Sequence, residues 1–325
     1  MYWSVVPSRG QYPTKPLRAH SAELVGDLMY VFGGCNSKGC FNDLFIFDTD
    51  TMYWRKPIVS GTPPLPSRAH SSTLIDDKIY IFGGGNGDQY YNSLHVFDTV
   101  TLRWSTPHTL GDIPCPRRAH SACAYKGNLY IFGGGDGMRA LNDVYQLDIS
   151  DPLHLTWKKL EPEGDLPVAR GYHTSNLVGN QWIVYGGSDG ADCFNDIHIL
   201  DLESLRWVEV NVPSPQARLS HTATLVGPFF FVVGGRDEKE YTNHLLILNL
   251  ATMKWEQRKT CGAKLSPRGY HTTILHDSRL YVFGGYDGKK YFNHVYILDL
   301  SASAYLPKMN NFELRTVPMA QSHTI

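Results

Sequence analysis

Short apolar runs, and not helical stripes, punctuate this chain. The segments "HSSTL", "KIYIF", "LHVFD" and "LRWST", all within residues 70–106, are rich in β-branched and aromatic residues and are separated by Gly, Asn and Asp clusters. That pattern predicts four strands joined by turns. No segment sustains a 3.6-residue apolar period, so no helix is predicted. Runs such as "IYIFGG" and "LYVFGG" are apolar throughout and do not alternate, as expected of a strand covered on both faces. Each small sheet should therefore lie between two others. The glycine pair ending such a run suits a place where the backbone turns sharply or another segment approaches closely, because glycine has no Cβ to obstruct either.

The same pattern returns along the chain, and the repeat governs the fold. Glycine pairs begin at Gly33, Gly83, Gly133, Gly186, Gly234 and Gly284, each thirteen residues after a histidine: His20, His70, His120, His173, His221 and His271. Ser or Thr follows every one of these histidines. An asparagine comes next in all six copies (Asn42, Asn92, Asn142, Asn195, Asn243, Asn293), then an aspartate (Asp48, Asp98, Asp148, Asp201, Asp299), replaced once by Asn249. Five copies close with Trp54, Trp104, Trp157, Trp207 and Trp255. Six units of about fifty residues thus tile the chain, and a ring of four-stranded sheets satisfies the pattern.

The order Arg, His-Ser/Thr, aromatic strand, Gly-Gly, Asn, Asp, Trp resembles the kelch repeat over residues 1–305. The resemblance implies an all-β, six-bladed kelch β-propeller with four antiparallel strands per blade. Residues 306–325 form a tail, expected to be disordered or the start of a further segment. The sixth unit has Tyr305 where the others have tryptophan, while Trp3 stands seventeen residues before His20, close to the sixteen between Trp54 and His70. The N-terminal "YWSVV" is therefore expected to close the ring as the last blade's outer strand, leaving no open sheet edge. Tyr305 competes for that slot.

Positions alike in every copy serve folding and stacking. The glycine pairs, the turn Asn and Asp (expected to bond their own backbone) and the tryptophans (expected between blades) are read as scaffold. Trp182 falls in a core strand position. Six histidines, one per unit, are read as structural, because metal sites gather unlike ligands at one place. No metal and no cofactor are expected. Neither G-x-S-x-G, H-E-x-x-H, a P-loop nor a dinucleotide fingerprint stands in a suitable context, and no enzyme is expected.

Charge adds an exclusion. With 30 Lys+Arg against 31 Asp+Glu and no like-charge block, the chain lacks the footprint of a nucleic-acid or anionic-membrane binder. It shows no leader-like opening and no apolar run long enough to span a bilayer, so a cytoplasmic protein is expected, with the nucleus as alternative. Six cysteines at unrelated positions without C-x-x-C suggest reduced thiols.

The expected function is a non-catalytic scaffold or adaptor that binds a protein or peptide through propeller loops. GTPase regulation, cell polarity and ubiquitin-ligase substrate recruitment are the settings the resemblance implies. An enzyme or small-molecule binder at the central channel mouth is the alternative. Residues that differ between copies are the candidate contacts: Tyr90, Tyr91, Met138, Arg139, Arg236, Tyr286 and Tyr291, in loops after the glycine pairs. In peptide-binding kelch domains, arginines preceding the inner strand can line the channel mouth and grip carboxylates. Units four to six keep that family spacing, which adds Arg170, Arg218 and Arg268, with Arg117 as a fourth candidate. Units one to three instead read Arg-Ala-His (Arg18, Arg68, Arg118), and a shift of one residue on an extended segment turns the side chain to the other side.

Overall fold

In the computed structural model, which describes residues 1–301 apart from 8, 14, 153, 214 and 215, every unit becomes a blade. The second blade is representative: Ser71–Ile75, Lys78–Phe82, Leu94–Asp98 and Arg103–Ser105 form an antiparallel meander. The same meander recurs around the ring, but the third, fourth and sixth blades depart from the expected four antiparallel strands by adding a short parallel fifth, Thr109–Gly111, Glu163–Gly164 and Cys261–Gly262; among the described residues there is no helix. The last blade is completed by Tyr2–Val6, which pairs antiparallel with Val295–Asp299 and sets Trp3 opposite Leu298. The expected closure by the N-terminal strand is thus present. Tyr305 and the tail 306–325 lie outside the described residues.

Each blade's second strand is the fully covered one, as its unbroken apolar run predicted. Ile79, Ile81 and Phe82 are buried, as are Trp182, Ile183, Val184 and Tyr185 two blades on. The tryptophans lock neighbouring blades. Phe283 of the last blade stacks 5.0 Å from Trp54 of the first, Phe32 lies 5.0 Å from Trp104, Phe82 5.0 Å from Trp157, Phe132 5.1 Å from Trp207 and Tyr185 5.6 Å from Trp255. Such tilted pairs add to the large apolar area each ring buries.

The turn aspartates cap their own turns: Asp48 Oδ1 accepts the N–H of Asp50 and Thr51, and Asp98 Oδ1 those of Val100 and Thr101. The asparagines depart from expectation. Asn42, Asn92, Asn142, Asn243 and Asn293 each donate Nδ2 to a carbonyl in the linker leading onward, at Pro64, Pro114, Pro167, Leu265 and Pro13. They hold the chain's passage to the next blade and do not cap their own loop.

Candidate functional site

Two closed hydrogen-bond rings surround the central channel. The residue before each histidine adopts a left-handed φ between +52° and +60° (Ala19, Ala69, Ala119, Tyr172, Ser220, Tyr270). Each of these N–H groups donates to the carbonyl of its counterpart in the preceding blade, from Ala69 to Ala19 (2.8 Å) around to Ala19 donating to Tyr270 (2.8 Å). Beneath them every histidine shares a hydrogen bond through Nε2 with the Ser or Thr hydroxyl of the preceding blade: His70 with Ser21 (2.9 Å), His120 with Ser71 (2.8 Å), and finally His20 with Thr272 (3.0 Å). Burial keeps these imidazoles neutral, lowering His20, His173 and His271 to about 3 and His70 to about 4. The histidines are therefore tied to scaffold hydroxyls, as their repetition suggested.

Above the rings, one face is built from six equivalent patches. The residue two before the histidine bridges to the residue after the glycine pair, and that residue pairs with the one five further on. The resulting triples are Arg18–Cys35–Cys40, Arg68–Gly85–Tyr90, Arg118–Gly135–Ala140, Gly171–Ser188–Cys193, Leu219–Arg236–Tyr241 and Gly269–Tyr286–Tyr291. The scaffold fixes these positions while the side chains change from blade to blade. Glycine is needed just before each patch: a Cβ on Gly34, at φ +87°, would stand 2.8 Å from His20 Cβ and 2.9 Å from the Arg18 carbonyl.

The arginine expectation is reversed by this geometry. Arg170, Arg218 and Arg268 are at most 1% exposed, and Arg117 is equally buried. Each donates Nη1 to the carbonyl of its blade's first paired glycine: Gly133, Gly186, Gly234 and Gly284, at 2.9–3.1 Å. Arg117 and Arg170 also form bidentate bonds with Asp143 (2.6 and 3.0 Å) and Asp196 (2.5 and 2.7 Å). These four are tethers beneath the face and present no donor to a partner. The arginines of the Arg-Ala-His units reach the surface instead, half-buried, since the alternation of the extended segment aims them oppositely.

The face has a cationic side and an aromatic side. Arg18, Arg68 and Arg118 stand on three consecutive blades, with the Arg118 guanidinium 4.6 Å from the Tyr90 ring. Across the channel, Tyr172 and Tyr270 meet edge-on at 5.4 Å and Tyr241 and Tyr286 at 5.8 Å, while the Tyr286 and Tyr291 rings lie 4.5 Å apart, tilted by 38°. Arg18 joins the two sides, lying 4.8 Å from Tyr286 and 5.5 Å from Tyr291. Arg236 lies 5.9 Å from Tyr241. A cleft of about 350 Å³ opens between the second and fourth blades, with Tyr90, Arg118, Met138, Arg139, Tyr172 and Asp189 in its walls.

Of the loop residues expected to bind, Tyr90, Met138 and Arg139 therefore share the cleft, and Arg236, Tyr286 and Tyr291 join the aromatic side. Tyr91 stands apart, with its hydroxyl near Gln89 Oε1 (3.4 Å). Tyr172, Tyr241 and Tyr270 were missed by sequence reasoning. Two of them immediately precede a histidine, where the other units carry Ala or Ser, and that departure was the available signal.

Six repeated blades closed into a ring, with patches that vary over shared tethers, define a propeller of the repeat class. Residues 1–187 match the family model of the KLHDC2/KLHL20/DRC7 Kelch-repeats domain, and residues 117–305 match that of the FBX42 beta-propeller domain. The chain belongs to the kelch-repeat propeller family, whose domains generally mediate protein–protein interaction. Shorter stretches are similar to curated proteins. Acyl-CoA-binding domain-containing protein 4 of Arabidopsis thaliana is 37% identical over 76 residues, 22% of this chain and 11% of that protein. Host cell factor homolog hcf-1 of Caenorhabditis elegans is 33% identical over 78 residues, 23% and 10% of the two chains. Kelch domain-containing protein 3 of Bos taurus is 39% identical over 70 residues, 19% and 18%. The matches span less than a fifth of each relative's length.

Proposed function

We propose that this propeller is a non-catalytic adaptor or scaffold, acting in the cytoplasm or nucleus, that seats a protein or peptide segment across the patch face. The observation that carries this reading is the separation of roles around the ring. Positions that tie blades together repeat in kind, whereas the patch positions, half-buried or buried, run through Arg, Gly, Leu, Ser, Cys, Ala and Tyr at one fixed geometry. The large side chains of the patches are chiefly Tyr and Arg, residue types enriched among interface hot spots. A fitting segment offers carboxylates to Arg68 and Arg118 and apolar or aromatic groups to Tyr172, Tyr270 and Tyr286. Presentation of substrates to a ubiquitin ligase, GTPase regulation and assembly of polarity complexes are settings in which such a surface would serve.

The test is site-specific photocrosslinking in cells. A crosslinking residue at Met138, which is 96% exposed on the cleft rim, should capture a discrete partner. The same residue at Val100, 73% exposed beyond the opposite strand ends, should not. Equal capture at both, or none at Met138, would overturn the reading.

A further inference from the structure

The first blade departs from the other five in a way that docking does not explain: both hairpin positions of its patch are cysteines. Cys35 and Cys40 are direct cross-strand partners. Cys35 exchanges both of its backbone hydrogen bonds with Arg18 on its other side (3.0 Å each). The cysteines therefore form a non-hydrogen-bonded antiparallel pair, the type whose Cα atoms lie about 4.5 Å apart with side chains on one side. That separation falls within the roughly 4.4–6.8 Å a disulfide spans. Both thiols are free.

We propose that Cys35 and Cys40 are an oxidisable dithiol, converted by hydroperoxide into a reversible disulfide on the patch face.

The surroundings favour Cys35 as the attacking sulfur. Arg68 Nη1 lies 3.8 Å from Cys35 Sγ. The hydrogen bond from Cys40, helped by Arg18 and Arg68 and opposed by burial, holds the Cys35 thiol well below its ordinary range. The same hydrogen bond pushes Cys40 up, so it stays protonated. A low-lying thiolate beside cations is the usual mark of a redox-active cysteine. Cys35 is only 2% exposed, which restricts access to a small oxidant. The thiolate attacks one peroxide oxygen, the O–O bond breaks, and hydroxide leaves with the proton Cys35 gave up, as water. Cys40 sulfur then attacks the resulting sulfenic acid, the S–S bond forms as the S–O bond breaks, and the departing hydroxide takes the Cys40 proton. Two electrons pass from the sulfurs to the peroxide, and a cellular dithiol returns them. Oxidation also removes the anion between Arg18 and Arg68, freeing both guanidiniums, a consequence that matters for partners only on the docking reading above.

Purified protein would be treated with hydrogen peroxide and its cysteine peptides mapped by mass spectrometry, with exposed Cys115 and Cys261 as internal references. The expected result is a Cys35–Cys40 linked peptide, 2 Da lighter than the dithiol and restored by dithiothreitol, formed at least tenfold faster than either reference thiol reacts. Cys40→Ser should instead accumulate a dimedone-reactive sulfenic acid at Cys35, and Arg68→Ala should slow the reaction several-fold. Oxidation of Cys115 or Cys261 first, with no linked peptide, would overturn the proposal. Because the mapping needs no partner, its failure is distinguishable from failure of the docking reading, which reduced protein tests alone.

Discussion

The buried arginines separate two kinds of tether, and substituting one of each tests the assignment. Arg170 is wholly buried and holds Asp196 through two bonds, the Gly186 carbonyl (3.0 Å) and the Val168 carbonyl (2.8 Å). Arg218 is as buried and bonds the Gly234 carbonyl (2.9 Å), but no ion pair of Arg218 occurs among the described residues. The position held by Asp143 and Asp196 in the third and fourth units is His244 in the fifth. Burial accordingly lowers Arg218 below its ordinary value.

Removing one partner of a buried ion pair costs roughly 3–5 kcal/mol, whereas leaving a single buried carbonyl without its donor costs roughly 1–3 kcal/mol. Asp196 is 22% exposed and keeps His198 at 3.0 Å, which places Arg170→Met at the lower end, about 3 kcal/mol. Arg218→Met, which gives up the Gly234 bond but breaks no ion pair among the described residues, should cost only about 1 kcal/mol. At about 2 °C per kcal/mol for a domain of this size, Arg170→Met melts about 6 °C lower. The pH dependence has a definite sign. Burial alone would raise the Asp196 carboxyl, but Arg170 and His198 hold it well below the usual carboxylate range. Its contribution is present above the unfolded pKa near 4 and is lost as pH falls toward the folded value, and Arg170→Met should remove most of it. Melting by circular dichroism between pH 3 and 7 measures both. Equal losses for the two variants, or none for Arg170→Met, would refute the reasoning.

Other consequences follow from the rings and the closure. The six ring histidines have folded values lowered by burial, so their stabilisation is complete above about pH 6.5 and fades as pH drops toward 4. A melting temperature flat from pH 7 to 4.5 would contradict this. Gly34→Ala, which drives a Cβ against His20 and the Arg18 carbonyl, should cost more than about 1 kcal/mol by urea titration, whereas Gly26→Ala, with nothing within 4 Å of its Cβ, should be milder. Deleting residues 1–6 uncovers the Val295–Asp299 edge and removes buried Trp3, so the truncated chain should melt lower and scatter light on heating.

The ring was legible because each of its demands is written six times. Even the closure could be read, since the spacing from Trp3 to His20 is within one residue of that from Trp54 to His70. The orientation of the arginines was not. Arg117 and Arg118 are adjacent, yet one is buried against Asp143 and the other lies over Tyr90, and only the register of the entry segment decides between them. The family spacing pointed to the buried set. A residue three before the histidine is inward in all six blades, as Leu17 and Ser67 show by being buried there too. The asparagines misled for a related reason: their partners lie in the next linker, so a turn-local reading could not find them. The constancy of Asn42 to Pro64 and Asn92 to Pro114 was the clue.

The central claim is that the patch face, and not the ring as a whole, engages partners. Quantitative co-purification from the protein's own cells would compare wild type, an Arg68→Ala/Arg118→Ala/Tyr286→Ala variant, and a Lys78→Ala/Val100→Ala control at the opposite strand ends. Wild type and control should enrich the same partners, and the face variant, folded by circular dichroism, should lose them at least tenfold. Undiminished enrichment by the face variant would contradict the account.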